Sequence, residues 1–202
     1  MGTRESILEK TKNLHLTSVD YPEEPHSARP FRNPERIFRE FLAAAHGEWK
    51  EFPSLEASLD YLSSWEEARA AKSTCDLSGF LRGKELPLTE VDQISPEGEI
   101  DIVVASGKIG VAENAAVWVG PPSEGRAALF LAKHLVILLP REAIVSSMHD
   151  AYALLNLEDS SYGTFIAGPS KTADIAQKLV LGAHGPLTLS IFAYSTKLEA
   201  GL

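Results

Sequence analysis

Between Gly168 and Asp174 the chain reads Gly-Pro-Ser-Lys-Thr-Ala-Asp, which sets a tight-turn pair, two hydroxyls, a cation and a carboxylate side by side. If Ser170 opens a helix, the first backbone N–H groups lack intrahelical partners and carry positive potential, the chemistry that holds a small anion. Lys171 adds charge, and Ser170 and Thr172 add hydroxyl donors. The same residues have a plain structural reading, with Ser170 as a cap and Asp174 complementing the helix dipole. A nucleotide phosphate loop is excluded, because the Gly-x4-Gly-Lys spacing is lacking. The second candidate is Glu113-Asn114, between two expected strands. A partly desolvated carboxylate there acts as nucleophile or base, whereas a solvated one is ordinary loop surface. His184 completes the ligand-binding candidates, and its structural alternative is an interaction with carbonyls at a helix end. Arg126 is either a carboxylate clamp or a solvated loop charge. His149-Asp150 has no nucleophile nearby and reads as helix surface. Trp49, Trp65 and Trp118 read as packing residues, since no basic residues interleave with them as a base-stacking platform needs.

Several chemistries are ruled out by what the chain contains. Cys75 is its one cysteine. That excludes an internal disulfide and an iron–sulfur cluster, which typically needs four ligands. The six histidines, at 15, 26, 46, 134, 149 and 184, show no zinc-type pair on one helix turn. Gly107-Lys108-Ile109-Gly110 lacks the glycine pattern of a dinucleotide fingerprint. With 19 basic and 28 acidic residues the net charge is −9, which disfavours nucleic acid and anionic membrane as nonspecific partners. The polar start Met1-Gly2-Thr3-Arg4-Glu5 and the absence of a long apolar run lead to an expectation of a cytoplasmic protein without membrane insertion. No cofactor or metal is expected in this chain.

The elements that must position these residues follow from periodicity. Residues 1–30 read as a short helix and an irregular arm, because Pro22, Pro25 and Pro30 exclude a long helix. Asn33-Pro34-Glu35 reads as a helix start, with Phe38, Phe41 and Leu42 at helical spacing before Gly47. Trp49 to Phe52 is expected as a strand and Ser54 to Trp65 as a helix. The stretch 72–98 carries no clear pattern. Ile100–Ala105, Ala115–Val119 and His134–Leu139 suit buried strands. Pro140 is expected to begin a helix carrying Ile144, Met148, Tyr152 and Leu155. Gly163–Ala167 reads as a strand, Lys171–Leu181 as a helix with an Asp174–Lys178 pair, and Leu187–Tyr194 as a final strand. Strands alternating with helices predict a three-layer αβα sandwich with a mainly parallel sheet over residues 31–202.

Residues 163–186 also resemble the lactate-utilisation protein C family, the LUD domain. Its hallmark is a Gly-Pro-Ser-(Arg or Lys)-Thr-Ala-Asp-Ile turn followed by Gly-x-His-Gly-Pro, and both halves stand here at Gly168–Ile175 and Gly182–Pro186. Arg4-Glu5-Ser6-Ile7-Leu8 resembles the family's first helix, and Val111–Ala115 falls where the family has an Ala-Glu-(Thr or Ser)-Gly turn. Asn114 and Ala115 depart from that pattern, and alanine adds a Cβ where glycine left space. Glu113-Asn114 is similar, too, to the Ser-Glu-Asn-Gly turn of CoA transferases, in which the glutamate attacks a thioester. The resemblance implies a CoA-transferase-like fold shared with sugar-phosphate isomerases. It also implies a non-redox role in oxidising L-lactate to pyruvate, beside partner subunits that hold iron–sulfur clusters. A small anionic ligand is then expected at Gly168, Pro169, Ser170, Lys171, Thr172 and Asp174, with Asn114 and His184. The alternative is a stand-alone enzyme using Glu113 on a carboxylate, thioester or sugar-phosphate substrate.

Overall fold

The structure, a computed structural model, describes Arg4 and residues 30–90, 100–120, 125–156, 162–172, 180–181 and 185–197. The first helix, α1 (Pro34–Ala44), starts where Asn33 accepts the Arg36 N–H at 3.0 Å, and it buries Phe38 and Leu42. It feeds β1 (Glu48–Phe52). Ser54 caps α2 (Leu55–Ser64) through the Ala57 N–H, and the short α3 (Glu66–Ala70) follows. The unpatterned stretch after residue 72 contains β2 (Thr74–Asp76), which pairs with β3 (Ile100–Val111). Next come β4 (Ala116–Val119), α4 (Ala128–Leu131) and β5 (Ala132–Pro140).

Two expected helices are corrected. The segment after Pro140 is a 3-10 turn (Arg141–Ala143) and then a strand, β6 (Ile144–Val145), before α5 (Met148–Leu154). The helix begins late because the β-branched pair Ile144-Val145 joins Gly110 and Val111 of β3, while Ser147 and Asp150 form a reciprocal capping box. The helix expected over Lys171–Leu181 is absent at both ends. After β7 (Thr164–Ile166), Lys171–Thr172 (β8) pairs antiparallel with Val180–Leu181 (β9). Asp174, Ile175, Lys178 and Leu179 lie outside the described residues, as do Gly182, His184 and, apart from Arg4, the arm before Pro30. The last strand is β10 (Thr188–Tyr194).

The main sheet runs β1-β10-β5-β3-β4-β7, with β2 and β6 also paired to β3. Strands β1, β10, β5, β3 and β2 are mutually parallel, while β4 is antiparallel to both β3 and β7. This is the mainly parallel α/β sheet that the alternating pattern predicts. Buried side chains fill both faces. Val103, Ala105, Leu135, Ile137 and Ile191 pack toward Phe38, Leu42 and Leu129, and Ile102, Val104, Val136, Leu138 and Phe192 pack toward Leu59, Leu62 and Trp65. Among the described residues no helix is long and apolar enough to cross a membrane.

Two contacts fix the frame. At Gly107 the register of β3 shifts, and β3 changes partners from β5 and β2 to β4 and β6. A Cβ there would lie 2.6 Å from Val117 Cγ1 and 2.9 Å from Ile137 Cγ2, so only glycine fits without displacing the core. At the far end of β10, Glu142 accepts from the Thr196 N–H at 3.1 Å and from the Ser195 and Thr196 hydroxyls at 3.0 Å. Burial pushes the Glu142 carboxyl up, but these bonds and its own backbone N–H outweigh it and hold the group at about 2, below its usual 4.5.

Gly107→Ala should therefore cost about 1–3 kcal/mol as an overpacked site, visible as a lowered urea midpoint with unchanged slope. Glu142 has its folded pKa below its unfolded value, so its stabilisation is complete above pH 4.5 and is lost as pH falls toward 2. Glu142→Gln should lower stability near pH 7 by about 1 kcal/mol, a figure reduced for its exposure to solvent. The gap between variant and wild type should narrow through that same acid window when denaturation is followed at a series of pH values.

Candidate functional site

Gly168 has φ +74°, and a Cβ on it would lie 2.7 Å from the Ala45 carbonyl oxygen, so the hallmark turn is seated against the end of α1. Pro169 is buried beside it, and Lys171 is exposed. The Ser170 N–H donates to the Pro186 carbonyl at 2.9 Å, and Gly185 approaches Ser170 so closely that a Cβ would stand 3.0 Å from the serine Cβ. The two halves of the motif, distant in sequence, therefore meet, with the β8–β9 pairing closing the loop between them. This changes the chemistry expected of Ser170. Its N–H is spent on Pro186 and no helix begins at Lys171, so a row of unpartnered helix N–H groups is not what this turn presents at 170–172. The turn also stands beside the amino ends of β1 and β10, since Ala45 and Pro186 each precede one of those strands.

Glu113 and Asn114 sit elsewhere, in the turn from β3 to β4. The Ala112 and Glu113 N–H groups donate to the Val145 and Ser146 carbonyls at 2.9 and 3.2 Å. Glu113 Oε1 accepts the Met148 N–H at 2.7 Å, which satisfies a first-turn donor of α5. Asn114 Oδ1 accepts the Ala116 N–H at 3.0 Å. Ala115, standing where the family pattern has glycine, adopts φ +53° and is buried. The left-handed backbone costs an alanine roughly 1–2 kcal/mol, and burying its methyl offsets part of that. The Glu113 turn is thus held by residues 145–148, and the Gly168 turn by Ala45 and Pro186.

The remaining candidates fall into structural roles. The Arg126 guanidinium lies over the Tyr162 ring at 5.2 Å. Asp150 belongs to the α5 capping box, and His149 is exposed on that helix. Trp49 packs on Phe38, Trp65 on His134 and Phe192, and Trp118 on Phe165. Cys75 is buried, and burial, with Asp76 and Glu90 adding negative charge, pushes its thiol up to about 11. It is a neutral thiol at physiological pH.

A polar cluster that sequence reasoning missed lies next to the hallmark loop. The segment that receives the Ser170 N–H at Pro186 donates its following N–H, that of Leu187, to the Lys133 carbonyl at 2.9 Å. Here a cleft of about 490 Å³ opens, lined by Glu67, Lys72, Asp101, Lys133, His134 and Thr188 among others. Asp101 accepts from the Lys72 N–H at 2.8 Å and from Lys133 Nζ at 3.0 Å, and these bonds hold its carboxyl low. Behind the cleft, His134 Nε2 lies 3.0 Å from Ser190 Oγ, which lies 3.0 Å from Glu48 Oε2. Ser190 is completely buried. Burial pulls the His134 imidazole below its usual range, against the opposing pull of Glu48 and Glu67. The signal in the sequence was a histidine and a serine at inward positions of apolar strands. The His134–Ser190 contact spans 56 residues and the Ser190–Glu48 contact 142, so neither is readable from spacing.

Comparisons with known proteins agree with the hallmark. Residues 96–193 match the LUD domain family model, a span that takes in β3 to β10 and with them Asp101, Lys133, His134 and Ser190. A lactate utilization protein C from Geobacillus kaustophilus (strain HTA426) is 33% identical over 96 residues, 44% of this chain and 40% of that protein. The corresponding protein from Anoxybacillus flavithermus is 32% identical over 117 residues, 55% of this chain and 53% of its own length. A third, from Shouchella clausii, is 26% identical over 75% of this chain and 74% of its own length. The match to the first of these relatives therefore spans well under half of its length. A DUF162 family protein from Deinococcus radiodurans, known from a crystal structure, shares the fold at 12% identity, with a TM-score of 0.56 over 80% of this chain and 96% of that one. The hallmark residues, the LUD domain match and these relatives make the chain similar to the lactate-utilisation protein C family.

Proposed function

We propose that the chain is a non-redox component of a lactate-utilisation system, working beside subunits that carry iron–sulfur clusters, and that its closed hallmark loop takes a small anion. The observation that carries this reading is the union of the two motif halves, Ser170 N–H on Pro186 O, in a chain related to proteins named lactate utilization protein C. A loop drawn shut this way holds Lys171 outward on a fixed backbone, with Thr172 next to it and Asp174 and His184 within the same loop by sequence. A cation held on a fixed turn binds a carboxylate or phosphate at lower entropic cost than one on a mobile loop. The non-redox assignment rests on Cys75, a single buried thiol held neutral. Glu113 as a catalytic nucleophile is the weaker reading, because its carboxylate is already the acceptor for the Met148 N–H.

Two experiments test this. Affinity purification from cells grown on lactate should recover a cysteine-rich iron–sulfur protein with the chain, and recovery of the chain alone would count against the assembly. Phosphate, L-lactate, pyruvate and CoA should then be titrated by calorimetry and thermal shift. At least one should stabilise the wild type, and Lys171→Ala should weaken that binding several-fold while leaving the Tm unchanged. If no anion binds, or the variant binds equally well, the loop is structural. Glu113→Gln should cost about 1 kcal/mol of stability as a weakened cap, with no loss of anion binding.

A further inference from the structure

The hydrogen-bond chain behind the cleft fixes which proton His134 carries. The Ser190 hydroxyl donates to the Glu48 carboxylate, so its proton points to Oε2. The serine oxygen is then an acceptor, and the group that donates to it is His134 Nε2–H. In a neutral imidazole the other nitrogen, Nδ1, is left as a bare acceptor. Among the described residues Nδ1 has no protein partner, and it is not an enclosed orphan atom, while His134 itself lines the cleft. Trp65 packs edge-on against the ring at 4.7 Å and holds its orientation.

The charges facing this ring come from every surrounding element: Glu48 and Lys50 on β1, Glu67 on α3, Lys72 ahead of β2, Asp101 on β3 and Lys133 on β5. Asp101 and Lys133 are joined to each other, and Lys50 lies over the Tyr61 and Trp65 rings. Lys72 Nζ has no ion-pair partner among the described residues, so it is the cation left for a ligand on the cleft wall. The lining thus offers an acceptor in the wall and a cation at the rim. From this we infer that the cleft between α3 and the amino ends of β3, β5 and β10 is a binding site for a small carboxylate that also carries a hydroxyl or ammonium donor. The donor goes to His134 Nδ1 and the carboxylate to Lys72. Ser190 and Glu48 are positioning residues, which keep the proton on Nε2. The site is separate from the proposed anion position at Lys171 and does not depend on it.

The decisive measurement is long-range proton–nitrogen NMR of the His134 ring in the full chain near pH 7.5, with L-lactate, L-alanine and pyruvate as probes. The free protein should show the Nε2–H form. L-lactate or L-alanine should shift the Nδ1 resonance, and which of the two binds more tightly tells a hydroxyl-bearing from an ammonium-bearing ligand. Pyruvate has the carboxylate but no donor and should bind about tenfold more weakly, the size of one lost hydrogen bond. Ser190→Ala should release the tautomer and erase the preference over pyruvate. Lys171→Ala should leave the His134 shifts unchanged, so failure at the hallmark loop and failure here give different results. An Nδ1–H form in the wild type overturns the proposal. So does the absence of any His134 response to both donor-bearing probes, or an equal response to pyruvate.

Discussion

Strand β3 is hydrogen-bonded along its length to four different partners, and the architecture depends on the bend that makes this possible. Its first half lies between β2 and β5, and its second half between β4 and β6. A regular strand twists gradually and keeps its neighbours. The handover is sharp because Gly107, at the register shift, lets Val117 and Ile137 close to distances that no side chain tolerates. The bend sends β4 and β7 off the parallel sheet, and β7 leads directly to Gly168, whose missing Cβ seats the turn on Ala45. One glycine therefore sets where the hallmark loop begins, and a second fixes it there.

The closing of that loop joins two regions that would otherwise be unrelated. The Pro186 carbonyl takes the Ser170 N–H, and the N–H of the same peptide, that of Leu187, donates to the Lys133 carbonyl. A short stretch of extended chain is thus pinned on one side by the hallmark turn and on the other by β5. Leu187 and Thr188, immediately after it, form one wall of the cleft, and Ser190 two residues later is the hub between His134 and Glu48. The hallmark turn and the cleft thus border the same strand start from opposite sides.

How far the sequence discloses this follows from the range of each interaction. Asn33 and Ser54 are legible as caps because a cap bonds to an N–H three residues away. The strands at Ile100, Ala116, His134 and Leu187 are legible because burial on both faces leaves continuous apolar runs. The expected helix at Pro140 misleads because Ile144, Met148, Tyr152 and Leu155 keep helical spacing while Ile144 is drawn into β6, and Tyr152 stays 52% exposed. The start at Ser170 misleads for a similar reason. A serine followed by helix-forming residues satisfies the local rule for a cap, but the N–H goes to Pro186, sixteen positions on, which no local rule anticipates. Of the expected site residues, Gly168 to Thr172 are brought up to the Gly185-Pro186 end, while Glu113 is bound to the α5 start and Asn114 to the start of β4.

The residues that sequence reasoning passed over, His134 and Ser190, interrupt strands that are otherwise as apolar as any in the molecule. Burying a hydroxyl or imidazole there is costly unless every polar atom is matched, and the cost rises as the surroundings exclude water. Stability alone is served equally well by aliphatic residues, which fill the neighbouring inward positions Val136, Leu138 and Phe192. Thr74, also inward, shows what a polar group without a match looks like, since its hydroxyl is buried with no partner among the described residues. Ser190 differs in that its single hydroxyl is used twice, once as donor and once as acceptor. A buried hydroxyl used in both directions fixes a proton's position, and that makes the ring beyond it an acceptor of defined direction rather than a filler of space.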